Sequence, residues 1–435
     1  MREKSAHDNK KMRENCGSNN KKMRENAKKS AITAQFSQLF TQFSKIIIFV
    51  IIISIIIITM IKVVNPFITG KYVSREYFCD REQETEQLRH HMVNGRNVAL
   101  ISPRRLGKTG LIEHFFSQDD IAKEYDTIFV DIYSTSTLEE LVYQLGKAIF
   151  AKIEKKSSVV ERFFSVIKTI RLGFKLDAVS GEPTLELGLG DIDSAEKTLS
   201  EIFEYIDTAD RPCIIAIDEF QQITSYEQKN VEAVLRTHIQ HCRNAQFIFA
   251  GSKRHVMTQM FTSAAKPFYQ SAIVMGLEAI PMETYIRFAR NKFEQYGKSI
   301  DIAAVEKVYR LMSGCTWYMQ MMMNELFALT SKGEICGTGD VGTAIDNIVN
   351  TQAVSYSELM TYIGTKQKAV LMAIAKEGET AKVTSAMFIK KHSLASSSSV
   401  QAAIKGLMEK DIITQENGSY RVYDYFFGVW IKRQY

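Results

Sequence analysis

Four short apolar runs, each closed by a polar or glycine-bearing turn, organise the chain from residue 65 onward. They read VALI at 98–101, TIFVDIY at 127–133, CIIAI at 213–217 and QFIFA at 246–250. Runs of this length rich in Val, Ile and Phe predict buried strands. Between them, apolar residues recur at helical spacing: Leu111, Ile112, Phe115 and Phe116, then Leu138, Leu141, Val142, Leu145 and Ile149, then VEAVLRTHIQHC. Alternating strands and helices predict an α/β core over residues 65–275. Within it, IRLGFKLD and TLELGLG alternate around SGEP, which predicts a β-hairpin inserted across 165–192, either a structural flap or a surface for a partner protein. Residues 276–350 carry only helical periodicity and predict a small helical domain. Residues 355–435 give three helical stretches, then two strands within IITQENGSYRVYDYFFGVWI around Asn417-Gly418, a hairpin turn signal. That order predicts a winged helix.

The first strand runs into a turn of Ser102, Pro103, Arg104, Arg105 and Leu106, followed by Gly107, Lys108, Thr109 and Gly110 and a helix. Strand, loop, Gly-Lys-Thr, helix is the context of a phosphate-binding P-loop. Loop N–H groups and the helix N-terminus suit an anion, Lys108 suits the β- and γ-phosphates, and the Thr109 hydroxyl suits Mg²⁺. The strict pattern has glycine where this chain has Ser102, which is tolerable only if that position avoids positive φ. The third strand ends in Asp218-Glu219, 110 residues after the lysine. Asp218 suits Mg²⁺, and Glu219 suits orienting an attacking water. Both motifs fall at strand ends, where open α/β sheets bind ligands. Together they predict a site for ATP or GTP. No guanine-recognition box of the Asn/Thr-Lys-x-Asp type stands in a fitting position.

Residues 1–64 are of another kind. Residues 1–45 hold eleven Lys/Arg against four Asp/Glu, a net of +7, whereas the whole chain carries +6, so residues 46–435 sum to −1. This basic tail reads as disordered, with anionic lipid or nucleic acid as the other reading of its charge. Residues 46–64, IIIFVIIISIIIITMIKVV, are long and apolar enough to be a transmembrane candidate. The positive flank would then stay in the cytoplasm and send the body across the membrane, away from ATP. Either the helix inserts against that bias, giving a single-pass anchor, or residues 1–59 are translated upstream sequence and Met60 is the natural start of a cytoplasmic protein. Six scattered cysteines without a CxxC pair read as reduced intracellular thiols rather than a disulfide framework or zinc site.

The segment Tyr77-Phe78-Cys79-Asp80-Arg81-Glu82, with Glu84 and Leu88 after it, predicts a turn into an amphipathic helix with Asp80 as N-cap. With SPRRLGKT and IIAIDEF, it resembles the archaeal-type ATPases of the AAA+/STAND division of P-loop proteins, in the form found in anaerobic gut bacteria. The resemblance covers residues 65–435. It implies a three-layer P-loop core, a helical lid over 276–350, a C-terminal winged helix, ATP rather than GTP, and Mg²⁺. It further implies that Phe78 and Arg81 help seat the nucleotide; the family's usual glycine before that arginine is Asp80 here. It assigns a γ-phosphate sensor to Ser252, whose other reading is a strand-capping serine. A family segment of the form G-x-P that approaches the adenine corresponds to Gly314-Cys315-Thr316-Trp317-Tyr318, without the proline. Arg254, Arg287 and Arg290 are candidates for a phosphate-sensing arginine, with solvated surface positions as the alternative.

The function expected is ATP hydrolysis coupled to movement between core, lid and winged helix, with Lys108, Glu219 and Ser252 in the chemistry and Thr109 and Asp218 on the metal. A slow nucleotide-gated switch and a DNA-binding regulator with a vestigial nucleotide site remain as alternatives. Winged helices often place the third helix in the major groove, but here Lys405 and Lys410 are offset by Glu409. A protein partner is favoured over DNA.

Overall fold

The computed structural model describes residues 65–152, 157–169, 172–176, 183–187, 194–416 and 418–435. The basic tail and the apolar stretch at 46–64 lie outside the described residues. Among those described, no helix is long and apolar enough to cross a membrane. In chain order the first part runs α1 (Glu82–Val93), β1 (Val98–Ile101), α2 (Lys108–Phe116), α3 (Asp119–Glu124), β2 (Asp126–Asp131), α4 (Leu138–Lys152), α5 (Ser157–Val166), β3 (Leu172–Leu176), β4 (Pro183–Leu187), α6 (Ala195–Asp207), β5 (Cys213–Asp218), α7 (Val231–His241), β6 (Ala245–Gly251), α8 (Arg254–Thr262) and β7 (Ile273–Gly276).

Five of these strands form one parallel sheet in the order β2-β5-β6-β1-β7. Successive side chains on a strand point to opposite faces, and β1 shows it. Val98 and Leu100 pack with Leu88, Leu111, Ile112 and Phe115 of α1 and α2. Ala99 and Ile101 join a second cluster with Leu141, Leu199, Leu235 and Met257 of α4, α6, α7 and α8. Both faces are covered by helices, which explains the unbroken apolar runs of the strands. The inserted segment forms the antiparallel pair β3–β4. Two parallel strands, β1 and β5, flank β6, so the loops after all three emerge at one sheet edge.

The second part runs α9 (Met282–Gln295), β8 (Ser299–Ile300), α10 (Ile302–Leu311), α11 (Thr316–Leu329), β9 (Ile335–Cys336), α12 (Asp340–Thr361), α13 (Thr365–Glu377), β10 (Glu379–Thr380), α14 (Ala386–Lys391), α15 (Ser397–Glu409), β11 (Ile413–Glu416), β12 (Ser419–Val422) and α16 (Tyr425–Gln434). The antiparallel sheet β10-β12-β11 with α13, α14 and α15 makes the winged helix.

Two expectations, on the last aromatic stretch and on Asp80, need correction. Residues 350–355 lie within α12, one continuous 22-residue helix. Its first half buries Val341, Ala344 and Ile348 and its second half Tyr356 and Met360, all within a single cluster that runs from α9 to α16. The last aromatic stretch is helix α16, not strand: Asp424 caps it by accepting from the Phe427 N–H at 3.1 Å, and Phe426, Phe427, Trp430 and Ile431 share its buried face. Asp80 does not cap α1. Asp80 and Arg81 both take left-handed φ, 57° and 72°, and Arg81 occupies the cap position with no side-chain cap bond. That conformation accounts for the glycine usual at the Asp80 position.

Candidate functional site

Helix α2 starts at Lys108 because Gly107 takes a φ of 92°, which turns the chain from loop into helix and aims the first N–H groups back at the turn. The other left-handed residue of this loop is Arg105, at 70°. Ser102, the departure from the strict motif, avoids positive φ, is fully buried, and donates its hydroxyl to the Pro103 carbonyl at 3.0 Å. Serine therefore fits the place of the expected glycine. Gly110 lies close under Phe78, where a Cβ would stand 3.3 Å from the ring.

Around this loop lies a cleft of about 310 Å³. Its polar end is formed by 104–110 and Glu219. The N-terminal residues 68–74 and 77–79, including Tyr72, Phe78 and Cys79, line the cleft as well, with Ile280, Trp317 and Gln320. Phe78 is stacked on His114, with ring centroids 4.4 Å apart.

Strand β5 delivers the acidic pair to the loop. The Thr109 hydroxyl donates to Asp218 Oδ2 at 2.7 Å, and the Glu219 N–H donates to Asp218 Oδ1 at 2.9 Å. Asp218 is buried, and burial raises its pKa above the ordinary carboxylate value, against the opposing Thr109 hydrogen bond and Lys108 charge. Burial likewise lowers the pKa of Lys108, with Asp218 and Glu219 offsetting part of the shift. A buried cation and a buried carboxylate are thus held in one small volume, where burial disfavours the charged form of each and their mutual attraction offsets part of that. Glu219 leaves the strand in a left-handed conformation, φ 55°. Its Oε2 accepts from the Ser252 hydroxyl at 2.7 Å and from the Gln221 amide.

Several sequence-predicted residues are placed differently from expectation. Ser252 stands just past the end of β6, and its hydroxyl is engaged with Glu219. Arg81 lines the cleft, but its guanidinium sits under the loop. It donates to the Leu106 carbonyl at 3.2 Å and the Glu278 carbonyl at 2.7 Å, and it pairs with Glu84 at 2.6 Å. The side chains of Arg104 and Arg105 turn towards the winged helix. Arg104 pairs with Asp411 at 2.7 Å. Arg105 pairs with Asp424 at 3.2 Å, bonds the Tyr318 hydroxyl, and lies over the rings of Trp317, Tyr318 and Tyr423. Arg254, Arg287 and Arg290 line no part of the cleft. Arg287 donates to Thr284 and Arg290 pairs with Glu294 on the surface of α9.

Two residues are new to the site. Gln221 holds Glu219 and also accepts the Ser252 N–H at 3.3 Å; its signal in the sequence is Gly251, whose missing Cβ makes room for the Gln221 amide. Trp317, the second residue of α11, lies against the loop: its backbone N–H donates to the Arg105 carbonyl at 3.0 Å, and the Thr316 hydroxyl donates to the Leu106 carbonyl at 3.3 Å. The segment without the family's proline therefore still docks on the loop.

A family model described as "ATPase domain predominantly from Archaea" matches residues 78–322, and one described as "probable winged helix domain" matches 354–433. No curated protein matches the chain. Among solved structures, the Walker-type ATPase of Pyrococcus abyssi is similar at 19% identity and a TM-score of 0.56, with 84% of this chain and 99% of that one covered. The ORC2 protein of Aeropyrum pernix, solved in ADPNP and ADP complexes, is similar at 11% identity and a TM-score of 0.52, with 85% and 98% covered. At these identities the likeness concerns the fold, a P-loop α/β core followed by a winged helix. With the first of the two family models matching more than half of its residues, this chain belongs to the ATPase family found predominantly in Archaea.

Proposed function

We propose that the chain binds ATP with Mg²⁺ and hydrolyses it, and that the reaction moves the core (65–275), the helical lid (276–350) and the winged helix (355–435) against one another. The observation that carries this reading is the Thr109–Asp218 hydrogen bond, with Glu219 one residue on and oriented by Ser252 and Gln221. Phosphoryl transfer to water needs positioned charge more than covalent chemistry. Lys108 and the N–H groups of 104–109 would hold the β- and γ-phosphates. Glu219 would orient a water in line with the γ-phosphorus and accept its proton as the new P–O bond forms and the bond to the β–γ bridging oxygen breaks. Ser252, through Glu219, would sense the γ-phosphate.

The hydroxyl and carboxylate of Thr109 and Asp218 fit a hard cation that keeps several waters. Among the described residues no group of three or more His, Cys, Asp or Glu is placed to hold a metal ion by itself, so phosphate and water would complete its shell. Bound Mg²⁺ would supply neutralisation of charge between the β- and γ-phosphates. The adenine would lie between the strip 68–79 and Trp317, with Phe78 at its edge and Arg81 acting on the loop from behind.

The body would work in the cytoplasm, where ATP is present. A protein partner at the winged helix or the β3–β4 hairpin is favoured over DNA. Lys405, on the helix that winged helices present to the major groove, faces Glu409 at 3.9 Å, so its charge is offset locally. The test is steady-state ATP turnover by the full chain beside Lys108→Ala and Glu219→Gln. Turnover lost in both variants, with ATP still bound by Glu219→Gln, is the expected result. Turnover that survives Glu219→Gln would refute the assignment of the base.

A further inference from the structure

The two arginines of the phosphate loop make the same kind of contact with very different commitment. Arg105 is caged: three aromatic rings lie within 5.2 Å of its guanidinium, and the Asp424 carboxylate that it meets also caps α16 and accepts from the Tyr356 hydroxyl at 3.4 Å. Arg104 is not. Its partner Asp411 sits half-exposed on the turn between α15 and β11, and the Arg104 guanidinium lies 5.5 Å from the ring of the exposed Tyr133.

Arg104 also borders two spaces. It lines the nucleotide cleft, near enough for its charge to act on both Lys108 and Glu219. It lines as well a second cavity of about 400 Å³ between the loop, α11 and the winged helix, shared with Arg105, Tyr423, Asp424 and Lys432. That interface is loosely filled, and the Tyr423 hydroxyl is buried without a hydrogen-bond partner. A guanidinium within reach of the phosphate end and paired with one exposed carboxylate has a second anion to choose when a triphosphate arrives.

We propose that Arg104 discriminates between nucleotide states by exchanging Asp411 for a terminal phosphate in the cleft. Occupancy by a triphosphate then releases the winged helix at Asp411, while Arg105 keeps it tethered at Asp424. The exchange rests on the nucleotide site proposed above. By linkage, the pair that a triphosphate breaks must itself oppose triphosphate binding to the same degree.

The experiment measures affinity for ADP and for a non-hydrolysable ATP analogue in the full chain, in Asp411→Asn and in Arg104→Ala, with limited proteolysis of the 355–435 region as a second readout. Asp411 takes a left-handed φ of 53°, which Asn adopts readily; Asp411→Gly suits it too and must behave alike. The exposed pair predicts analogue binding roughly two- to fivefold tighter in Asp411→Asn, with ADP binding changed less. In the unaltered chain the analogue speeds cleavage in 355–435 relative to ADP. In Arg104→Ala that difference disappears and the analogue loses its preference over ADP. Equal affinities in Asp411→Asn and the unaltered chain overturn the exchange, as does a gain of equal size for both nucleotides. Absence of nucleotide binding by the unaltered chain overturns the site itself, a result distinct from either.

Discussion

Gly251→Ala is the sharpest test of how the site holds its glutamate. Gly251 ends β6 without a positive φ, so its backbone accepts alanine and only space decides the outcome. The added Cβ would stand 2.5 Å from Gln221 Oε1 and 2.5 Å from both Cγ and Sδ of Met257. Met257 is fully buried within the α8 side of the core, so it yields little. Overpacking of this kind costs about 1–3 kcal/mol. The Gln221 amide is the freer neighbour, and its displacement breaks its bonds to Glu219 and to the Ser252 N–H, at roughly 1 kcal/mol each. Stability should fall by about 2–4 kcal/mol by chemical denaturation. Turnover should fall on the order of 10- to 100-fold as the carboxylate loses its alignment. ATP affinity should hardly change, because the loop residues are untouched. Gly276→Ala, where a Cβ meets nothing within 4 Å and φ is also ordinary, is the matched control and should be silent in both assays. Normal turnover in Gly251→Ala, with the variant folded, would refute the claim that Gln221 positions Glu219.

The buried Asp218 makes a pH-dependent prediction. Its folded pKa is raised above 3.8 chiefly by burial, so the folded state holds the proton more tightly than the unfolded one, and stability falls as pH rises from 3.8 through the folded value. Asp218→Asn should flatten that slope and stabilise the nucleotide-free protein above this window, while abolishing Mg²⁺-dependent turnover; an unchanged slope in denaturation midpoints across pH would count against it. Trp317→Ala removes both a wall of the cleft and a face of the Arg105 cage. It should weaken nucleotide binding roughly tenfold with a smaller change in kcat, and equilibrium binding beside kinetics would separate the two.

What the sequence revealed and what it concealed divide along one physical line. The buried strands were legible because burial on both faces leaves an unbroken apolar run, as in Cys213–Asp218. The Gly107-Lys108-Thr109 turn and the acidic pair were legible because phosphate chemistry allows few residue types at those points. Helix α16 was not. Its Tyr, Phe, Val and Trp suit a strand by local preference, and helix wins through the Asp424 cap and through packing of Phe427 and Trp430 on Tyr356 of α12. The orientation of Arg104 and Arg105 was hidden for the same reason, since their partners lie 307 and 319 residues away. Gln221 escaped notice because its role depends on a missing side chain on a different strand.

The left-handed Arg105 links these observations. A non-glycine residue in that region costs on the order of 1 kcal/mol or more and persists where surroundings over-determine it. Here the surroundings are Trp317 and Tyr318 from α11, and Tyr423 and Asp424 from the winged helix. Glycine at this position would relieve the strain and lose every one of those contacts. The shape of the phosphate loop is therefore set jointly by its own Gly107 and by two C-terminal elements, which share one apolar core through α12. A displacement of the winged helix reaches the loop through Arg105 and, while its pair with Asp411 is made, through Arg104, and a change at the loop reaches the winged helix by the same two contacts. Coupling between nucleotide and C-terminal domain requires no long relay in this fold, because the two meet at adjacent residues of one turn.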